Sequence, residues 1–257
     1  MTADTATAAV ASGPRRPALD RRTAMRLAAD EYDRFLAQLR ELSPEQWASS
    51  TECPGWDVRA MVAHVLAMAE GSASVRENLR QLREARRRTG DGEFIDALTA
   101  LQVEKHRDVA PAELLSRFAD VAPRAARGRR RTPRVVRSMR MPVPQTIGGV
   151  SEVWAMGYLV DVILTRDTWM HRVDIARATG RDLHLTADHD GVLVADVAAE
   201  WLQRHGRPCR LHLTGPAGGR WERGEAGPLV ELDAVEFCRI LSGRGDGDGL
   251  LAVPVPF

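Results

Sequence analysis

From Leu19 onward, apolar residues recur at intervals of three and four in one segment after another, and this spacing confines most of the first 180 positions to helices. The first stripe, over 19–42, runs through Met25, Leu27, Ala28, Phe35, Leu36 and Leu39 and is ended by Ser43-Pro44. A second helix is expected from Asp57, an N-cap after Pro54-Gly55, through Val58, Met61, Val62, Val65 and Ala69, with His64 near the edge of the stripe. A highly charged helix to Arg88, one over 94–109 and one over 111–126 with Pro111 at its start follow. Each one-sided helix must cover its stripe against another, so this half of the chain predicts a helical bundle.

Residues 124–140 carry eight arginines, too many like charges to pack together, and are expected to form a solvated loop or edge hairpin. Without interleaved aromatics the run does not point to nucleic acid. After Pro142-Val143-Pro144 and Gly148-Gly149, a long helical pattern spans 151–179 and stops at Gly180, a fitting C-cap. The pattern then changes. A helix over 188–204 precedes the short alternating runs CRLHLTG, GRWERG and PLVEL, separated by glycines as in a small antiparallel sheet, and Asp233 opens a short last helix. The expected organisation is a disordered small-residue tail over 1–18, a helical domain over 19–182 and a small α+β domain over 183–257.

Composition excludes several classes. Lys plus Arg, 36, nearly cancels Asp plus Glu, 35, so no global field favours nucleic acid or an anionic membrane. No apolar run approaches the roughly 18 residues of a spanning helix, and the N-terminus lacks a signal-peptide pattern, so a cytoplasmic protein is expected. Cys53, Cys209 and Cys238 are odd in number and widely spaced, which suits free thiols and not a disulfide framework or a cysteine zinc site.

Asp167 and His171 stand four apart on one helical face, with Asp174 a further turn along. At about 100° per residue they share a sector with Val160, Ile163 and Leu164, while Asp161, Thr165, Thr168 and Arg172 fall opposite. Charged groups on a partly apolar side are costly unless paired or bound to metal. The spacing alone equally fits a plain ion pair at a solvated edge, and His64 alone fits a packing histidine. Cys53 and Trp56 read as parts of a structural Cys-Pro-Gly-Trp turn with Cys53 buried, and Trp169 as core.

Two segments add to this reading. Thr51-Glu52-Cys53-Pro54-Gly55-Trp56-Asp57-Val58-Arg59-Ala60-Met61-Val62-Ala63-His64 resembles the first metal-ligand motif of the mycothiol-dependent maleylpyruvate isomerase family, in the wider DinB-like superfamily. Arg166-Asp167-Thr168-Trp169-Met170-His171-Arg172-Val173-Asp174-Ile175-Ala176 resembles its second, about a hundred residues later. The resemblance runs from about residue 20 to the C-terminus. It implies a DinB-like four-helix bundle with zinc held by His64, Asp167 and His171, and a smaller, sterol carrier protein-like α+β domain after it. It also implies that this second domain lends a basic residue to the active-site cleft, for which Arg239 and Arg244 are the candidates and Arg220 a lesser one. The resemblance further implies an actinobacterial enzyme that uses mycothiol or another small thiol either to isomerise a small electrophilic substrate or as the group transferred to it; a monomer or homodimer is expected.

One position departs from the family pattern: the carboxylate is the shorter Asp167 where the isomerase has Glu, which leaves Asp174 open as the alternative third ligand or as support for His171. Two other readings stay in view, a DinB-like metal-dependent hydrolase that turns over without thiol and a non-enzymatic protein that binds a small ligand.

Overall fold

The computed structural model describes residues 13–257. In chain order these form α1 (Arg21–Arg40), a short 3-10 turn (Glu45–Ala48), α2 (Val58–Ala73), α3 (Val75–Arg88), α4 (Phe94–Lys105), α5 (Pro111–Arg131) and α6 (Arg134–Ser138). The hairpin β1 (Gln145–Ile147) and β2 (Val150–Glu152) follows, then α7 (Met156–Tyr158), a π-helical segment (Leu159–Ile163) and α8 (Leu164–Thr179). The chain closes with α9 (Asp190–His205), β3 (Cys209–Thr214), β4 (Gly219–Arg223), β5 (Leu229–Asp233) and α10 (Ala234–Leu241). The structure is thus mostly helical with two small sheets.

The chain divides into two compact units, and both are discontinuous in sequence. One comprises residues 20–136 and 160–183; the other comprises 137–159 and 184–257 with residues 13–19. Segment 137–159, which a single cut near 182 leaves with the helices, clusters with the C-terminal region.

In the helical unit α2 packs on α5 and α8, and α1 packs on α5 and α8. Phe35, Leu39, Val58, Val62, Leu66, Leu114 and Phe118 fill the core between them, each 1% exposed or less. At about 25 cal/mol per Å2 of apolar surface, burying such side chains offsets the ordering entropy of these helices. Asp57 caps α2 by accepting from the Ala60 amide at 2.7 Å, as expected of an Asp before the stripe. Gly180 ends α8 in the left-handed conformation, at φ 63°. Gly128 of α5 lies so close to α2 that a Cβ there would stand 2.0 Å from the Ser72 carbonyl, so only glycine permits this crossing.

Three expectations are corrected here. The arginine run is not a loop or hairpin: Arg124 through Arg131 continue α5, because Ala and Arg are strong helix formers and the geometry turns Arg124, Arg127, Arg130 and Arg131 to solvent. The long helix does not begin at 151, since β2 occupies Val150–Glu152 and the π-helical segment breaks the helical phase before α8. As a result α8 has no solvated side over most of its length; Thr165, Thr168 and Arg172, expected opposite the site, are each 2% exposed or less.

In the other unit the sheet order is β4-β3-β5, with β3 antiparallel to β4 but parallel to β5. The antiparallel sheet expected from the alternating runs is therefore a mixed one: β4 reverses the chain, so β5, reversed again, runs with β3 when it joins the far edge. Residues 13–18, expected in the tail, are described, and Arg15 is tied in: its amide donates to the Val153 carbonyl at 2.8 Å and its carbonyl accepts from the Ala155 amide at 2.9 Å. The rest of the expected tail, residues 1–12, lies outside the described residues. Among the described residues no helix is long and apolar enough to cross a membrane.

Candidate metal centre

The Cys-Pro-Gly-Trp turn builds one wall of the site. Thr51 donates across it from its amide and its hydroxyl to the Trp56 carbonyl at 3.0 and 2.9 Å, and its hydroxyl oxygen accepts from the Cys53 amide at 3.2 Å. The Trp56 amide closes the turn on the Cys53 carbonyl at 3.0 Å, and Gly55, at φ 78°, takes the left-handed conformation that the reversal needs. The locked turn presents the Trp56 ring to two imidazoles, with centroids 5.2 Å from His64 and 6.1 Å from His171.

The helices supply the rest. His64, 3% exposed, lies on α2 among its core residues, and α8 brings Asp167 and His171 to it. His64 Nε2 stands 3.6 Å from Asp167 Oδ2, and His171 Nε2 stands 3.6 Å from Asp167 Oδ1. Both separations are too long for hydrogen bonds and close to the roughly 3.4 Å that separates neighbouring donors around a tetrahedral ion with bonds of about 2.1 Å. One donor atom from each of the three residues lies within 4.8 Å of the others. The Asp167 side chain is 22% exposed, while those of His64 and His171 are 4% and 6%, so the carboxylate marks the side open to solvent.

His171 is held at its other nitrogen. Nδ1 lies 3.0 Å from Oδ2 of the fully buried Asp174, and the Cys53 thiol donates to the same oxygen at 3.8 Å. Burial alone would lower the pKa of His171, but the Asp167 charge and the bonds with Asp174 and Cys53 outweigh it and push it up to about 10. His64 Nδ1 is buried with no hydrogen-bond partner among the described residues.

Sequence reasoning named His64, Asp167 and His171, and the structure brings all three together. It missed that Trp56 faces both imidazoles; the one signal was its position just before the N-cap, where a large apolar residue fixes the entry of the chain into the helix. Cys53, expected to be buried, is half-exposed, because the turn that holds it runs over the edge of the site. With His171 and Asp174 it forms a second group of potential ligands within 4.8 Å of one another. None of the three cysteines is in a disulfide, and Trp169 is core, 1% exposed.

Arg239 and Arg244 lie in the other unit. Arg239, 6% exposed on α10, pairs with Glu236 and donates from Nη2 to the Arg244 carbonyl at 3.0 Å, while the Arg244 amide donates back to the Arg239 carbonyl at 2.8 Å. Arg244 is half-buried and Arg220, on β4, is exposed.

Fold and site define a helical protein with a His, Asp, His donor set of the kind that divalent cations take in catalytic sites. A family model described as "Mycothiol maleylpyruvate isomerase N-terminal domain" matches residues 28–176. The chain belongs to this family, and the family is one of enzymes. Among solved structures it is similar to that of a mycothiol-dependent maleylpyruvate isomerase, at 19% identity and a TM-score of 0.57, with 89% of this chain and 92% of that one covered. A variant of that isomerase with one histidine replaced by alanine is similar at 18% identity and a TM-score of 0.57, covering 88% and 90%. No curated protein matches this chain.

Proposed function

We propose that this chain is a zinc-dependent, mycothiol-using enzyme acting on a small electrophile, with His64 Nε2, His171 Nε2 and the Asp167 carboxylate as the metal's protein ligands. The observation that carries the reading is the pair of 3.6 Å separations between one carboxylate and imidazoles from two different helices, a spacing that suits donors sharing an ion better than donors bonded to each other. When bound, the ion would lower the pKa of a thiol and supply a thiolate at neutral pH.

The chain's own residues prepare that chemistry. Asp174 accepts from His171 Nδ1–H, which fixes the tautomer and leaves Nε2 as the donor; Asp174 is therefore support for the ligand and Asp167 the ligand itself. Trp56 covers the two imidazole rings and keeps water from that side. Asp167, the most exposed of the three, leaves the approach on its own side to thiol and substrate. In isomerisation the thiol sulfur adds to an activated double bond, the carbon–carbon bond rotates once single, and the returning electron pair expels the thiolate, so the thiol is regenerated. Transfer follows when that last step is absent.

The packing of α1, α2, α5 and α8 around one core supports a DinB-type four-helix bundle, and the mixed sheet with α9 and α10 supports a sterol carrier protein-like second domain. Within that domain Arg239 braces the end of α10 through its bond to the Arg244 carbonyl, and Arg239 and Arg244 are the candidates for the basic residue that the family resemblance implies.

The test is incubation of zinc-loaded protein with a maleylpyruvate-like enoyl acid and with an aryl electrophile, each with and without mycothiol. Turnover that requires the thiol supports the proposal; turnover without it contradicts the co-substrate assignment and favours hydrolysis.

A further inference from the structure

The buried arginine of α5 has no place in the site described above, yet it reaches the helix that carries two of its residues. Arg129 is 2% exposed, and among the described residues no carboxylate pairs with it. Its Nε donates to the Val160 carbonyl at 2.9 Å, its Nη2 donates to the Thr165 hydroxyl at 2.5 Å, and its guanidinium carbon lies 5.8 Å from the centre of the Tyr32 ring. Nη1 has no hydrogen-bond partner. A buried cation without an ionic partner is costly, so the bonds it does make are its physical justification.

Those bonds straddle a junction. Val160 lies in the π-helical segment Leu159–Ile163, and Thr165 lies in the first turn of α8, two residues before Asp167. A π turn holds one residue more than the α turn it replaces, and the return to α bonding takes one carbonyl out of the regular ladder. Arg129 gives this segment a donor from outside the helix. One residue corresponds to about 100° of helical rotation, so ironing the π turn into regular helix would swing Asp167 and His171 together away from His64.

We propose that Arg129 is a positioning residue that holds the π turn and thereby sets the rotational phase at which α8 presents Asp167 and His171 to His64. The inference rests on the metal reading of these three residues. Thr165 is the second half of the device, since its hydroxyl ties the same guanidinium to the α-helical side of the junction.

The experiment compares wild type, Arg129→Met and Thr165→Val, each purified, confirmed helical by circular dichroism and freed of metal. Zinc affinity is measured by chelator competition, and the visible spectrum of the cobalt(II) form reports ligand geometry. Arg129→Met is expected to bind zinc about 10-fold to 100-fold more weakly and to change the cobalt bands, and Thr165→Val to shift both in the same direction by a smaller factor. A purely structural arginine would lower the melting temperature and leave affinity and spectrum untouched, and folded variants with those wild-type values overturn the proposal. Should Arg129→Met fail to fold, Thr165→Val decides: unchanged affinity and spectrum overturn the inference, and a shift in both supports it. Wild type that takes up neither metal brings down the metal reading and this inference with it, whereas wild type and variants that bind alike bring down the inference alone.

Discussion

Two groups of acids and histidines lie along α2. At His64 the carboxylate of Asp167 faces two imidazoles at 3.6 Å, and Asp174 faces the far nitrogen of one of them. At Glu70, further along the same helix, the partners are His106 at 3.1 Å and the ammonium of Lys105, which also bonds Glu77, itself paired with Arg80 at 2.7 Å. Gln81 and Gln102 complete this second network by donating to the Ala67 carbonyl and the Gln81 side chain at 2.9 and 3.0 Å. In the second group the chain supplies its own cations at hydrogen-bonding distance, and the result clamps α3 and α4 to α2. In the first the donors are imidazoles set just beyond hydrogen-bonding distance from the carboxylate. Spacing therefore separates the two groups: only at His64 do an acid and two imidazoles stand at distances that suit donors sharing one ion.

Several substitutions sharpen or break this contrast. Asp167→Ala is expected to lower thiol-dependent turnover by at least about 100-fold while leaving the fold intact, as read by assay and circular dichroism; near-normal turnover would put the chemistry elsewhere. Asp174→Asn removes the group that fixes His171 and should weaken zinc binding about 10-fold to 100-fold in a chelator competition.

The two groups should also answer pH with opposite signs. His171 without metal has its pKa raised from 6.5 to about 10, so its contribution to stability is full below 6.5 and is lost as pH rises through about 10. Zinc must displace that proton, so zinc affinity measured across this window should climb about tenfold per pH unit, and a flat profile would contradict the assignment. For Glu70, burial alone would raise the carboxyl pKa, but the bonds from His106 and Lys105 outweigh it; Arg80 foremost holds Glu77 lower still. Their contribution is present above the ordinary carboxylate value of 4.5 and is lost on acidification through the depressed values. The smallest effect is expected from Lys105→Met. Its side chain and those of Glu70 and Glu77 are 24%, 23% and 21% exposed, so solvent screens the pairs and urea unfolding should register a loss of about 1–2 kcal/mol. Zinc content should not change; a loss of zinc in this variant would mean the two groups are not independent.

The helices and the shared face of Asp167 and His171 were legible because both depend on local spacing. Asp57 caps α2 where the stripe begins, Gly180 ends α8, and Asp167 and His171 share a face whatever surrounds them. Connecting His64 to that face took the motif resemblance, since spacing carries no information across about a hundred residues. What spacing could not reveal were features set by distant contacts. The π turn accepts a bond from Arg129 of α5, β3 pairs in parallel with β5 through the path of the chain between the strands, and Arg15 is anchored on Val153 and Ala155. The arginine run misled because its charge count was weighed against packing, whereas seven of its eight members avoid burial and only Arg129 is driven inward.

The most direct test is metal content by plasma mass spectrometry after zinc reconstitution, on wild type and on His64→Ala, Asp167→Ala and His171→Ala confirmed to be folded. The account predicts about one zinc per wild-type chain and loss of it in all three variants. Folded wild type that remains metal-free, or variants that keep the ion, would contradict it.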